Sequence, residues 1–386
     1  MATQKILTRD FVLSFFSQFT FSSVFFVLIP TIPIYLSRLG ATEVEIGLLV
    51  GVSSVSSLIL RPFVGRALLR IAEKKFMIAG ALLYTFSCLA YLVAPPFFPF
   101  FTVRIFQGIG VALFVTASFT LVANISPEAH LGQSLSYFYL AINIAFALAP
   151  SFGMFLINQF GFTTLFLVCT GFSLCTLLIT DKVKERPIDP LEDQFLKDEP
   201  FLNREAIPPA IIASIVNIIW GALTAFFPLY ALSQGVSNPG LFFATFALML
   251  ILGRGLGGKI LDTYKRERVI FPCLMTYIVS MGILAFSNSL PMFILVAVIW
   301  GLGNAFLYPT LVAYAIDRAG PSRGPAMGTF TAVADLGVGM GSIIMGIILH
   351  WTSYPVMFLC LAFTGVVNLL YFYFSIRKGG KRYANL

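Results

Sequence analysis

The chain has 386 residues, of which 58% are hydrophobic and only 11% charged, with a net charge of +8. Soluble domains carry about 25% charged residues, so an ordinary water-facing exterior is excluded and the bilayer must solvate most of the surface. The positive excess is not a nucleic-acid face, because the basic residues lie in short segments between apolar runs rather than on one patch.

A membrane helix needs about 20 predominantly apolar residues. The first such stretch, residues 11–36, is too long for the apolar core of a cleavable signal and reads as a first membrane helix. Five more follow at 46–69, 76–94, 99–125, 133–157 and 163–180. Their joints are short and carry ordinary helix punctuation, as in Ala94-Pro95-Pro96 and Asn158-Gln159-Phe160-Gly161. Residues 181–207 differ, mixing both charges densely with no spanning run. Six further stretches lie at 208–232, 240–261, 269–286, 292–316, 326–349 and 356–376, with Ser287-Asn288-Ser289 as one joint. The expected architecture is an all-α membrane protein of 12 transmembrane helices. An N-terminal six-helix bundle (1–180), a cytoplasmic linker (181–207) and a C-terminal six-helix bundle (208–386) make it up.

Lys and Arg settle the expected orientation. With both ends on one side, that side holds 21 of the 25 basic residues, and the opposite loops hold only Arg38. Positive charge accumulates in the cytoplasm, so both termini are expected there, in the plasma (inner) membrane. The remaining three, Arg61, Arg104 and Arg254, fall inside helices.

The two halves repeat. Arg61-Pro62-Phe63-Val64-Gly65 corresponds to Arg254-Gly255-Leu256-Gly257-Gly258, and Gly108-Ile109-Gly110 to Gly301-Leu302-Gly303, both at an offset of 193 residues. Parallel repeats of this kind place a solute path at the interface between halves, near the midplane.

Three motifs carry a family resemblance. After helix 2 the chain reads Gly65-Arg66-Ala67-Leu68-Leu69-Arg70-Ile71-Ala72-Glu73-Lys74-Lys75. Helix 4 contains Arg104-Ile105-Phe106-Gln107-Gly108-Ile109-Gly110, and helix 5 contains Ala149-Pro150-Ser151-Phe152-Gly153. With the 12-helix repeat, these resemble the major facilitator superfamily over essentially the whole chain, in particular its drug-efflux-like proton antiporters.

The resemblance implies a cytoplasmic latch at Gly65, Arg70, Lys74 and Lys75, repeated in the second half as Gly258, Asp262 and Arg266. Leu69 stands where the first copy of that motif has Asp, and Ala72 replaces its second Gly. The resemblance ties Arg104 to proton transfer or substrate orientation; Gln107 follows it as in the family's signature. Pro150 and Gly153 are what remains of the antiporter signature, with Ala149 and Met154 at positions usually held by Gly. Pro frees a carbonyl and bends a helix, so a kinked packing helix is the alternative reading of that motif.

Asp335 is the one acidic residue well inside an apolar span. A carboxylate in a low-dielectric site is held toward its neutral form, and a nearby Arg reverses this, so its charge can change during a cycle. In the family helices 2 and 11 face each other, which suggests Arg61 as its partner. Arg254 is the rival, and a static ion pair is the other reading of either.

Candidate cavity-lining groups are Gln18, Gln107, Asn143, Asn217, Trp220, Asn304 and Tyr308; intramembrane amides also commonly bond neighbouring helices. The abundant Phe would suit an apolar or amphipathic solute. Gly253-x-Gly255-x-x-Gly258 lacks the strand a dinucleotide site requires, and no phosphate-binding loop is present. No cofactor or metal is therefore expected. His130 and His350 lie in opposite loops, and the five Cys have no metal-ligand spacing.

These features favour a secondary transporter over a membrane enzyme, since no catalytic cluster of His, Asp or Cys appears, and over a sensor, since the 27-residue linker is too short for a signalling domain. The expected activity is proton-coupled export of small amphipathic molecules by a monomer embedded in the lipid bilayer. Uptake symport and lipid flipping are the alternatives on the same scaffold.

Overall fold

A computed structural model describes the backbone of residues 7–68, 70–93, 98–127, 131–185, 203–319 and 323–377. Side chains are described for these residues except 131, 132, 136, 255–263, 319, 323–325 and 375–377. Twelve long α-helices account for most of them, and no strand occurs among the described residues.

The first six helices are α1 (Arg9–Arg38), α2 (Glu43–Ala67), α3 (Glu73–Ala90), α4 (Phe98–Ile125), α5 (Leu131–Gln159) and α6 (Gly161–Asp181). After a short 3₁₀ turn, Arg204–Ala206, come α7 (Ile207–Ser233), α8 (Gly240–Thr263), α9 (Arg266–Leu284), α10 (Leu290–Ala319), α11 (Arg323–Trp351) and α12 (Tyr354–Tyr371). Among the described residues, ten helical segments are long and apolar enough to cross a membrane. The helix α3 is not among them; it has 18 residues and opens on Glu73-Lys74-Lys75. In α8 the described side chains include a shorter apolar run, Gly240–Arg254.

Local chemistry sets several boundaries. The Thr8 hydroxyl accepts from Phe11 N at 3.2 Å and starts α1 two residues before the apolar stretch. At the head of α2, Thr42 N and Oγ1 both donate to Glu45 Oε2, at 2.7 and 2.8 Å, while Glu45 N donates back to Thr42 Oγ1 at 3.3 Å. This is a reciprocal capping box. Between α5 and α6 only Phe160 intervenes, because Gly161 adopts φ +81°, a conformation that side chains disfavour.

The chain divides into two compact units, one of Met1–Leu39 with Val52–Asp198, the other of Gly40–Gly51 with Glu199–Leu386. Their internal plans match. In the first, α1 packs on α5 and α6, and α3 on α4 and α6; in the second, α7 packs on α11 and α12, and α9 on α10 and α12.

Small residues and hydroxyls bring the helices of the first unit together, as expected where lipid removes the usual hydrophobic advantage. A Cβ on Gly80 in α3 would lie 2.7 Å from Phe114 N and 2.8 Å from Gly110 O in α4. Between α1 and α6, Ser17 and Thr180 hydroxyls bond at 2.6 Å and those of Thr20 and Thr176 at 2.8 Å. The hydroxyls of Thr85 and Ser173 join α3 to α6 at 2.8 Å.

In the second unit the tightest seam is α7 on α11. Gly221 abuts the backbone of Val338, Gly337 the carbonyl of Ser214, and Gly341 the backbone of Ile218. Such approaches allow weak Cα–H···O contacts along the seam. An aromatic cluster fills the rest: fully buried Trp300 lies 4.1 Å from Phe246, 5.7 Å from Trp220 and 5.9 Å from Phe242 between ring centroids.

Candidate functional site

Charge inside an apolar helix must be held by polar neighbours, because desolvating a guanidinium without compensation costs several kcal/mol. In the first unit those neighbours surround Arg104, which lies seven residues into α4 and is only 7% exposed. One Nη of Arg104 donates to Gln107 Oε1, and the other donates to Ser53 Oγ at 2.7 Å. The same Gln107 oxygen accepts from the Tyr91 hydroxyl at 2.6 Å, and Gln107 Nε2 donates to the Tyr84 hydroxyl at 3.0 Å. Three regions of chain are thereby tied to one guanidinium.

This network positions its members rigidly. Arg104 and Gln107 share a helix face by their i, i+3 spacing. The α3–α4 seam at Gly80 and Gly110 brings Tyr84 within reach, and Phe21 stacks on Phe114 at 4.1 Å and tilts against Tyr84 at 4.6 Å. Gly108, next to Gln107, packs against Ser53 O and Ser56 Oγ, which fixes Ser53 over the guanidinium.

At the 193-residue offset the second unit holds Tyr277 for Tyr84, Trp300 for Gln107 and Ala297 for Arg104. The Tyr277 ring meets that of Trp300 edge-on at 6.3 Å between centroids. The second copy of the site has thus kept one Tyr and exchanged the Arg–Gln pair for an aromatic wall.

The other sequence candidates are placed as follows. Arg61 in α2 and Arg254 in α8 are half-buried. Asp335 is half-buried in α11, directly after Ala334, whose carbonyl accepts from Asn217 Nδ2 at 2.8 Å. Asn217 therefore braces the α7–α11 seam at the residue preceding Asp335. Gln18 is buried in α1, donating to Ser22 Oγ at 2.9 Å and accepting from Ser118 Oγ at 2.7 Å, which links α1 to α4. Trp220 borders Trp300, Tyr308 meets the Phe330 ring at 5.8 Å, and Asn143 and Asn304 are half-buried.

Pro150 lies inside α5, and Gly153 packs against α1, where an added Cβ would lie 3.0 Å from Val27 O. Of the latch residues, Lys74 pairs with Asp181 at 3.3 Å and also donates to its carbonyl, while Lys75 pairs with Glu185 at 3.1 Å. Arg266 pairs with Asp317 at 3.4 Å. Gly65 and Arg70 are exposed. The side chains of Gly258 and Asp262, residues 186–202 of the linker, and Leu69 and His130 lie outside the described residues.

Two helical units that share one packing plan, with long apolar helices and buried cationic and amide groups, define a multi-pass membrane transport protein. Its sequence matches the profile of the Major Facilitator Superfamily over residues 14–279 and 239–385, and the chain belongs to that family. It is 24% identical over 380 residues to a staphylopine export protein of Staphylococcus aureus, covering 93% of this chain and 92% of that one. It is 23% identical over 361 residues to the quinolone resistance protein NorA of Staphylococcus aureus, covering 89% and 91%. A crystal structure of a variant of the nucleoside transporter NupG superposes with a TM-score of 0.82 at 14% identity, covering 94% of this chain and 99% of that one. The protein is a transporter of small solutes and not an enzyme.

Sequence reasoning singles out Arg104 and Gln107 but not Ser53, Tyr84 and Tyr91, which share their hydrogen-bond network. Tyr84 had a usable signal, since it and Tyr277 coincide at the same offset as the motifs.

Proposed function

We propose that the chain is a proton-coupled exporter of small amphipathic or hydrophobic molecules that works by alternating access. The observation that carries this reading is Arg104, a buried guanidinium held in a network of Gln107, Ser53, Tyr84 and Tyr91 inside an otherwise apolar helix. A positive charge maintained at such cost suits orienting an anionic group or setting the protonation of one. Asp335 is the carboxylate we assign to proton carriage, with Arg61 or Arg254 as its counter-charge. Export is favoured by the similarity to the staphylopine export protein of Staphylococcus aureus. In this reading the halves 1–180 and 208–386 rock about the linker 181–207, the motif residues of the inner loops latch them, and both termini face the cytoplasm of a monomer in the cell membrane.

Purified protein in liposomes, challenged with a chemically diverse panel under an imposed pH gradient, tests the proposal. Movement of at least one amphipathic compound against its gradient, abolished by collapsing the proton gradient, is expected. Equal transport with and without the gradient would remove proton coupling, and accumulation only in the direction of proton flow would indicate uptake symport.

A further inference from the structure

The second unit includes Gly40–Gly51, the opening turns of α2, which lie along the last turns of α11. The seam is made of small residues. Gly47 abuts Ser342 O; a Cβ on Gly51 would lie 2.7 Å from Ser342 Oγ and 2.9 Å from Gly339 O; and one on Gly346 would lie 2.7 Å from Glu43 O. Contacts of this kind bring backbones close, with Ile343 and Phe226 as the nearest large side chains.

One charged contact closes the end of this seam. His350 Nδ1 lies 3.2 Å from Glu43 Oε2, with the side chains 40% and 43% exposed. Glu45 on α2 is committed to the Thr42 cap, the Tyr354 hydroxyl on α12 feels the Glu43 charge, and the Trp351 ring stands edge-on to the imidazole at 5.5 Å. Imidazoles change charge between about pH 5 and 8. Protonated, His350 makes an ion pair with Glu43; neutral, it retains only a hydrogen bond.

We propose that Glu43 and His350 form an acid-strengthened clasp that holds the first turns of α2 against the last turns of α11. That this end of the seam faces the exterior rests on the orientation given under Proposed function; the clasp itself does not. Neither residue belongs to the polar network around Arg104, so the device regulates how readily α2 separates from α11 rather than what the transporter carries. A half-exposed ion pair shifts such an equilibrium about two- to fivefold.

The test uses the full chain in lipid nanodiscs with Cys175 and Cys360 replaced by Ser, and spin labels on Ala41→Cys and Thr352→Cys. At pH 5.5 a single short distance is expected. At pH 8.0 a second, longer population is expected, with the short-to-long ratio falling at least twofold. His350→Gln should show the same distribution at both values, and His350→Lys, always charged, should keep the short distance at both. A wild-type distribution that does not respond to pH, or the same response surviving in His350→Gln, would overturn the clasp. Because the readout is a distance and not transport, it stands apart from whether export is proton-coupled. Repeating it in vesicles with the two faces held at different pH tests the orientation separately.

Discussion

Replacing Gln107 with Leu should be the most damaging small change in the first unit. Gln107 Oε1 accepts from the Arg104 guanidinium and from the Tyr91 hydroxyl, and Nε2 donates to Tyr84. A neutral hydrogen bond is worth about 0.5–1.5 kcal/mol net and one to a charged group about 1.5–3 kcal/mol. Two of the first kind and one of the second sum to about 2.5–6 kcal/mol. Polar bonds between membrane helices average nearer 0.6 kcal/mol, so the expected loss is about 3 kcal/mol. Tyr91→Phe removes one donor while Arg104 still occupies the Gln107 oxygen, and should cost about 1 kcal/mol. At about 2–4 °C per kcal/mol for a unit of this size, the apparent unfolding midpoints in detergent should fall by roughly 6–12 °C and 2–4 °C. In the double variant the Tyr91 change should add almost nothing, because its partner is already gone. Equal losses for the two single variants, or full additivity, would refute the idea that Gln107 is the hub.

Other outcomes follow from the packing and the surface pairs. Gly341→Ala drives a methyl group into the Ile218 backbone and should cost about 1–3 kcal/mol, whereas Gly282→Ala, with open space around it, should leave the midpoint unchanged or slightly raised; thermal scans of both check this. Lys74→Ala and Lys75→Ala break pairs whose acidic partners are half or more exposed, so each should change stability by no more than about 1 kcal/mol. Ser53→Ala removes one bond from Arg104 but leaves Gln107, so folding should persist, and any transport defect should appear with a fall in the midpoint of about 3–6 °C, smaller than that of Gln107→Leu.

The helices were easy to read because lipid demands that backbone polar groups be satisfied within each span, which forces long apolar runs. Their ends were less legible. The helix α1 begins at Arg9 and runs to Arg38, and α11 extends to Trp351, since capping groups and charged first turns continue a helix past its apolar stretch. Arg104 and Gln107 stood out by type, a charge and an amide among apolar neighbours. Tyr91, Tyr84 and Ser53 did not, because a Tyr or Ser in a membrane helix is unremarkable until tertiary packing turns its hydroxyl toward a guanidinium. The glycines of the α7–α11 seam were visible as residues, but which backbone each one touches depends on a crossing geometry that spacing alone does not specify. Gln18 and Asn217, read as cavity candidates, make bonds to neighbouring helices, the commoner use of such groups.

The central claim is that substrate movement is tied to proton movement through Asp335. The most direct measurement is proton flux into liposomes, followed with an entrapped pH dye, while a transported compound is added on one side. Wild-type protein should show proton movement that starts with the compound and runs opposite to it, and Asp335→Asn should abolish that flux while compound exchange across equal pH continues. Undiminished, compound-dependent proton flux in Asp335→Asn would contradict the account.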